Sequence, residues 1–349
     1  MRQGERAVEA DERGARALRE WITGERREYA RVFLVEPGAA TEDVWGVAGP
    51  DDAVLLPMEC GAYDGQGMTV RYSGALSDVG DELFLGERVV ELQDYVAAAF
   101  VQIVGPTAVS MVDGTGWQAF LADADLARRT GVFPSALLDP RVLLADRSAL
   151  MKPTELVTPS AIRVHRDGSV ALGIGGEVIG MVDQLPTLLA TPVPRSAALA
   201  GAVPAHVLDA DLATRGWIGR YLLATDLMKM LRLANGAATI SGFGGAFFDD
   251  HLADAEPLTA DPFLVETADV FVLADTTTLR RQLLSRSTAM VVAATQTSST
   301  LEVAAGRVAR QLGTSASEAG TLCREAVTAL DVHLGRPTDV SNRVDGVEQ

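Results

Sequence analysis

Apolar positions recur along this chain at two periods, dividing it into stretches of helix and strand. From Val8 to Ile22, the residues Val8, Ala15, Leu18 and Ile22 fall near one helical face, and Gly24 ends the helix. Short apolar runs at "ARVFLVE", "DAVLLPME" and "MTVRYSG", set off by Pro-, Gly- and Asp-rich turns, read as strands. Glu91 to about Phe100 is expected to begin a helix, and "TAVSMVD" to form a buried strand. "GWQAFLADADLARRTG" then predicts a helix turning Trp117, Phe120, Leu121 and Leu126 inward. Strand followed by helix implies an α/β region over residues 1–150.

Residues 151–255 read as an α+β middle region. In "SAIRVHRDGSVALGI" two apolar runs flank Arg166-Asp167-Gly168-Ser169, a hairpin signal. Pro186, Pro192, Pro194 and Pro204 punctuate a looped stretch. Asp211 to Ala234 then predicts one long helix, buried through Ile218, Leu222, Leu227 and Leu231 and stopped by Gly236.

The pattern changes again over residues 256–340, ahead of a tail at 341–349. "FLVE", "VFVLA" and "TLRRQLL" predict three strands, and Ser287 to Thr295 a first short helix. Ser299 and Glu302 have capping-box spacing, as do Ser315 and Glu318, so two further helices are expected, the last running to about Leu334. The fold class is therefore α/β or α+β multidomain. It ends in a winged-helix-like domain with a three-stranded sheet and three helices.

Charge narrows what such a domain can hold. The chain carries a formal −17, which disfavours general attraction to nucleic acid or an anionic membrane. Within the C-terminal domain, positive and negative side chains nearly balance, whereas a DNA reader needs a basic face. A DNA-binding regulator remains the alternative if Arg280, Arg281, Arg286, Arg307 and Arg310 share one surface. Lys152 and Lys229 are the only lysines, and Cys60 and Cys323 form no close pair, which suits a reducing cytoplasm. The charged start is not a secretory signal, and the most apolar segment, Tyr95 to Val112, is too short and interrupted to span a membrane.

Candidate chemistry is sparse. "LGIGGEVIG" departs from G-x-G-x-x-G because Val178 occupies the third glycine's place, so turn or tight packing is favoured over a dinucleotide site. "SGFGG" reads as a bend beside Phe243. "DDHLAD" gathers Asp249, Asp250, His251 and Asp254, with no second ligand cluster, and is expected to be a solvated loop rather than a metal site. Cys323 lies within a predicted helix, where packing outweighs nucleophilic chemistry. An enzyme with an unrecognised site in residues 1–255 stays open, since a Ser-His-Asp arrangement assembles across a fold without local spacing.

A three-stranded sheet leaves an edge to which an extended peptide can add a strand, while nearby helices read alternate side chains. The strand pattern, the "LLSRSTAMVV" helix entry, "STLEVAAGRVARQLG" and "SEAGTLCREAVTALDVHLG" together resemble the recognition-element domain of ribosomally synthesised peptide pathways. That domain is typified by the pyrroloquinoline quinone pathway chaperone. The entry departs from the family's Leu-Asn, since Ser285 follows Leu284.

The resemblance implies that a precursor's leader peptide binds beside the third strand and against the third helix. Carried onto this chain, the strand candidates are Arg280, Arg281, Gln282 and Leu283; the helix candidates are Leu322, Ala326, Leu330 and His333. It implies a non-catalytic adaptor with no cofactor and no metal. The overall organisation is similar to the stand-alone recognition proteins of daptide pathways. That likeness implies enzyme partners of three kinds: an oxidoreductase, an aminotransferase and a methyltransferase. Residues 1–255 would then dock enzymes or make homo-oligomeric contacts.

Overall fold

The computed structural model describes residues 3–248 and 252–338, with side chains from residue 11 onward. No helix among the described residues is long and apolar enough to cross a membrane. The chain divides into two compact units, one of residues 1–122 and 134–218, the other of residues 123–133 and 219–349. The expected middle region is thus shared, with residues 151–218 in the first unit and 219–255 in the second.

The first unit begins with helix α1 (Gln3–Thr23), which ends at Gly24 with φ +67. Ten strands of its main sheet follow, beside a separate two-residue pair, Leu156–Val157 with Val193–Pro194: β1 (Val32–Val35), β2 (Ala53–Pro57), β3 (Met68–Gly74), β4 (Glu82–Leu85), β5 (Arg88–Asp94) and β6 (Thr107–Ser110) come first. After helix α2 (Gly114–Thr130) come β7 (Val142–Leu144), β8 (Ala161–Val164), β9 (Ser169–Leu172) and β10 (Val178–Met181). They form one sheet in the order β10-β9-β8-β1-β2-β3-β4-β5-β6-β7. Pairing is parallel from β8 through β1 and β2 to β3, and again from β5 through β6 to β7; the remaining pairs are antiparallel.

Alternation along β1 shows why its sequence is continuously apolar. Val32 and Leu34 join one buried cluster, while Phe33 and Val35 join another on the opposite face. The inner cluster wraps α1: Ala17, Leu18, Trp21 and Ile22 pack among side chains from β1 through β6 and from β8. The sheet is therefore curled around its own N-terminal helix. Trp21 fixes that seating, donating its indole N–H to the Ile162 carbonyl at 3.0 Å. On the outer face, Val44 of the short helix Glu42–Val47 and Leu185 and Leu189 of Leu185–Ala190 cover the central strands.

The helix expected from Glu91 is instead strand β5. Val90 and Leu92 alternate into the inner cluster, so a two-residue period prevails there. The predicted hairpin is β8–β9, turning through Gly168 at φ +85. In α2, Trp117, Phe120 and Leu121 are buried as expected, whereas Leu126 is 40% exposed. The long helix from Asp211 is two helices, Ala205–Ala213 and α3 (Ile218–Leu231), interrupted around Gly216, a residue that costs a helix interior about 1 kcal/mol.

The second unit holds a four-stranded antiparallel sheet, β11 (Thr239–Ile240), β12 (Phe263–Glu266), β13 (Phe271–Ala274) and β14 (Arg281–Leu284), in that order. This corrects the expected three strands: β11 pairs with the outer side of β12, an addition too short to leave an apolar pattern. Helices α4 (Arg286–Gln296), α5 (Leu301–Leu312) and α6 (Ala316–Leu330) follow. Leu264 and Leu273 of the sheet share a core with Val292, Val308 and Cys323 of the helices.

Ser315 and Glu318 form the predicted capping box at α6. At α5 the cap is Thr300 rather than Ser299, whose backbone and hydroxyl are bound by Asp254. Tyr221 of α3 stacks on Phe133, and Phe243 tilts against both rings. The bend at Gly242-Phe243-Gly244 lets Gly244 pass so close to Gly131 that an added Cβ would lie 3.0 Å from its Cα.

Candidate functional site

The outer strand of the second unit's sheet is β14, and no described strand pairs with its far side. Backbone bonding sets which of its groups are free. The Asp275 N–H donates to the Arg280 carbonyl, and the ladder pairs Leu273 with Gln282 and Phe271 with Leu284. Antiparallel pairs alternate between bonded and non-bonded residues, so Gln282 and Leu284 bond inward to β13. Arg281 and Leu283 therefore turn both their N–H and C=O groups outward.

Side chains follow the same period. Gln282 and Leu284 lie on the face shared with Leu264 and Leu273, beneath the helices, while Arg281 and Leu283 lie on the opposite face. Leu283 is 72% exposed. Arg281 reaches the Met230 carbonyl at 3.4 Å. Arg280 precedes the strand, in an exposed turn where Asp275 accepts from the Thr277 and Thr278 backbone.

Two cavities meet at Leu330, near the end of α6. One, of about 250 Å³, is apolar and opens between α4 and α6, lined by Val291, Leu312, Leu322, Ala326, Ala329 and Leu330 among others. The second, of about 280 Å³, lies against β14 and is lined by Leu273, Arg280, Arg281 and Gln282, with Asp275 and Asp331 balancing the arginines. An extended segment paired with β14 would run beside this groove and place alternate side chains in it.

The structure thus places Arg280, Arg281 and Gln282 on the cavity against β14, and Leu322 and Ala326 on the apolar one; Leu330 lines both and Leu283 neither. His333 departs from its expected place. Helix α6 ends at Leu330 because Asp331 adopts φ +57, so His333 is beyond the helix. There its Nδ1 is 2.7 Å from Asp261. Burial raises the Asp261 carboxyl, against the lowering effect of its bonds to His333. Val291, Leu312 and Ala329 were not anticipated; their periodicity marks them as helix-core positions and does not distinguish core from groove.

The five-arginine DNA face does not assemble. Arg307 is buried, donating to the Thr297 carbonyl and the Ser298 hydroxyl, each at 2.7 Å. Arg286 sits over the Phe248 ring. Cys323 is fully buried, and desolvation raises its thiol. Asp249, Asp250 and His251 lie outside the described residues; among those described, no group of three or more His, Cys, Asp or Glu is placed to hold a metal.

A polar network in the first unit also escaped prediction. Arg163, in mid-strand, is buried over the Trp21 ring and donates to the Leu76 carbonyl. Glu36, just beyond β1, places its carboxylate 3.0 Å from His165 Nδ1 and 3.5 Å from Arg163 Nε. Asp146, fully buried, accepts from the Ile174 and Gly175 N–H groups at 3.3 and 3.4 Å, and desolvation raises its carboxyl to about 7. These bonds tie the segment after β7 to the β9–β10 turn, joining the two ends of the curled sheet. The glycines of "LGIGGEVIG" accordingly serve close packing: a side chain at Gly173 would collide with the Asp146 carboxylate. The charged residue inside the apolar run "SAIRV" was the available signal for this network.

Comparison with known protein families, with curated proteins and with solved structures found no match for this chain.

Proposed function

We propose that this chain is a peptide-binding adaptor acting in the cytoplasm. Its winged-helix-like C-terminal region captures the leader of a ribosomally made precursor and presents it to modifying enzymes. The observation that carries the reading is the unpaired edge of β14, with Arg281 and Leu283 offering backbone groups outward beside a cavity lined by Arg280, Arg281 and Gln282, which meets an apolar cavity at Leu330. Capture keeps the precursor's modifiable end near its enzymes and turns a bimolecular search into a tethered one. The resemblance to daptide recognition proteins names those enzymes as an oxidoreductase, an aminotransferase and a methyltransferase. The adaptor itself supplies neither cofactor nor catalytic group.

The phase of β14 provides the test. A fluorescently labelled leader peptide, taken from the precursor encoded beside this gene, is titrated with full-length protein while anisotropy is read. Leu283→Pro removes an outward N–H that the sheet does not use, so it should abolish saturable binding without unfolding the chain. Leu322→Asp should weaken binding at least tenfold by charging the groove. Failure of the folded wild type to bind, or full binding by both variants, would sink the proposal.

A further inference from the structure

The most apolar stretch of the sequence plays no part in the groove, and much of it faces solvent. From Tyr95 to Val112 there is no charged residue. Strand β6 buries Thr107 to Ser110, but the preceding loop leaves Phe100 85%, Val101 45% and Val104 79% exposed. A large aromatic ring held almost wholly in water is a poor outcome for a monomer surface when its neighbours are also apolar.

The same loop borders a cavity of about 360 Å³, lined by Ala98, Val101 and Val104 and by the polar Gln102, Ser135, Asp139 and Arg141 among others. Phe100 lies within this lining segment yet lines none of the cavity. The loop therefore carries a projecting ring and an unfilled hollow side by side. An isologous two-fold contact needs this combination, because each copy must present both the inserted group and its receptor.

Charge favours the same occupant. At −17, copies of this chain repel one another across most of their surfaces. Here the cavity's own lining carries one acid and one base, Asp139 and Arg141, paired at 2.7 Å. Arg141 also donates to the Val104 carbonyl at 3.1 Å, which holds the loop in place. Two copies meeting across this cavity would bring one positive and one negative group each, with no like-charge excess.

We infer that residues 98–104, with 135–141, form a homodimer interface in which Phe100 of each copy enters the cavity of the other. This surface belongs to the first unit and is independent of leader capture. A two-fold adaptor would present two grooves to its enzymes.

Sedimentation equilibrium of the full chain over a range of concentrations is the test. The wild type should pass from 36.9 kDa to twice that mass. Phe100→Asp and Val104→Asp should each raise the dimer Kd by about a hundredfold, the effect of removing a central interface anchor. Their melting temperatures should match the wild-type monomer, because both side chains lie in solvent. Met58→Asp, altering a residue 63% exposed and outside the patch, should dimerise normally. A wild type that stays monomeric at the highest attainable concentration would overturn the inference, as would a dimer indifferent to both loop substitutions. A monomer whose Phe100 instead drives binding to phosphatidylcholine vesicles would reassign the patch to a lipid surface and equally overturn it.

Discussion

Replacing Asp146 by Asn tests the network that joins the two ends of the curled sheet. Asp146 is 2% exposed, and burial raises its carboxyl from 3.8 to about 7 against the opposing pull of the Ile174 and Gly175 N–H groups and of Arg163. In the unfolded chain the group ionises near its ordinary value, so its folded pKa is the higher one. Its contribution is fully present below pH ~4, is lost as pH rises through about 7, and is constant above that. The interval spans roughly three pH units, and at about 1.4 kcal/mol per unit the loss approaches 4 kcal/mol. Asn tolerates the left-handed backbone at φ +50 and retains an acceptor for the two N–H groups, but never ionises. Urea unfolding followed by tryptophan fluorescence reports on the right unit, since Trp21, Trp45, Trp117 and Trp217 all lie within it. Subtracting wild type from variant cancels the other titrating groups. The difference should move in the variant's favour by up to about 4 kcal/mol between pH ~4 and pH ~8. A difference that stays flat over that range would refute a buried, titrating Asp146.

Three further substitutions probe the second unit. Arg220 is buried over the Phe263 ring and donates to the carbonyls of Leu258 and Asp261 and to the Ser241 hydroxyl; Arg220→Met should cost about 3 kcal/mol by stranding these acceptors, measurable by calorimetry. Ser315→Ala removes one half of the α6 capping box and should cost about 1 kcal/mol, seen as faster hydrogen exchange at the Glu318 amide. Gly244→Ala combines φ +77 with a 3.0 Å approach to Gly131 and should lower stability by about 2 kcal/mol in denaturant titrations, with no effect on leader binding.

Local signals were legible where a single element determined the outcome. The strand Phe263–Glu266, the hairpin at Gly168 and the Ser315–Glu318 cap each depend on residues within a few positions of one another. Prediction failed where distant partners decided. Ser299 had the spacing of a cap, but Asp254 claims it and Thr300 caps the helix instead. Glu91 to Phe100 looked helical until the inner cluster recruited Val90 and Leu92 as alternate positions. The site candidates on β14 and α6 rested on the family resemblance alone, and the phase of the outward backbone groups required the Asp275–Arg280 bond. His333 was misplaced because an Asp in a left-handed conformation is a rarer helix stop than Gly. Of the Asp146 network only Arg163, a charge within an apolar run, left a mark in the sequence, because its partners Glu36 and Asp146 lie in other elements and meet it only in the folded sheet.

The enclosure of α1 bears on how the chain is made. On a ribosome this helix is synthesised before any of the strands that cover it, and β1, at residues 32–35, waits for its neighbour β8, at 161–164. Until then Trp21, Leu18 and Ile22 lack much of their final surroundings. Contacts of such long sequence separation slow folding and lengthen the time that apolar surface is open to misassembly. Nascent chains halted between β7 and β8 should therefore bind chaperones more strongly than finished ones, and low temperature during expression should raise the soluble yield.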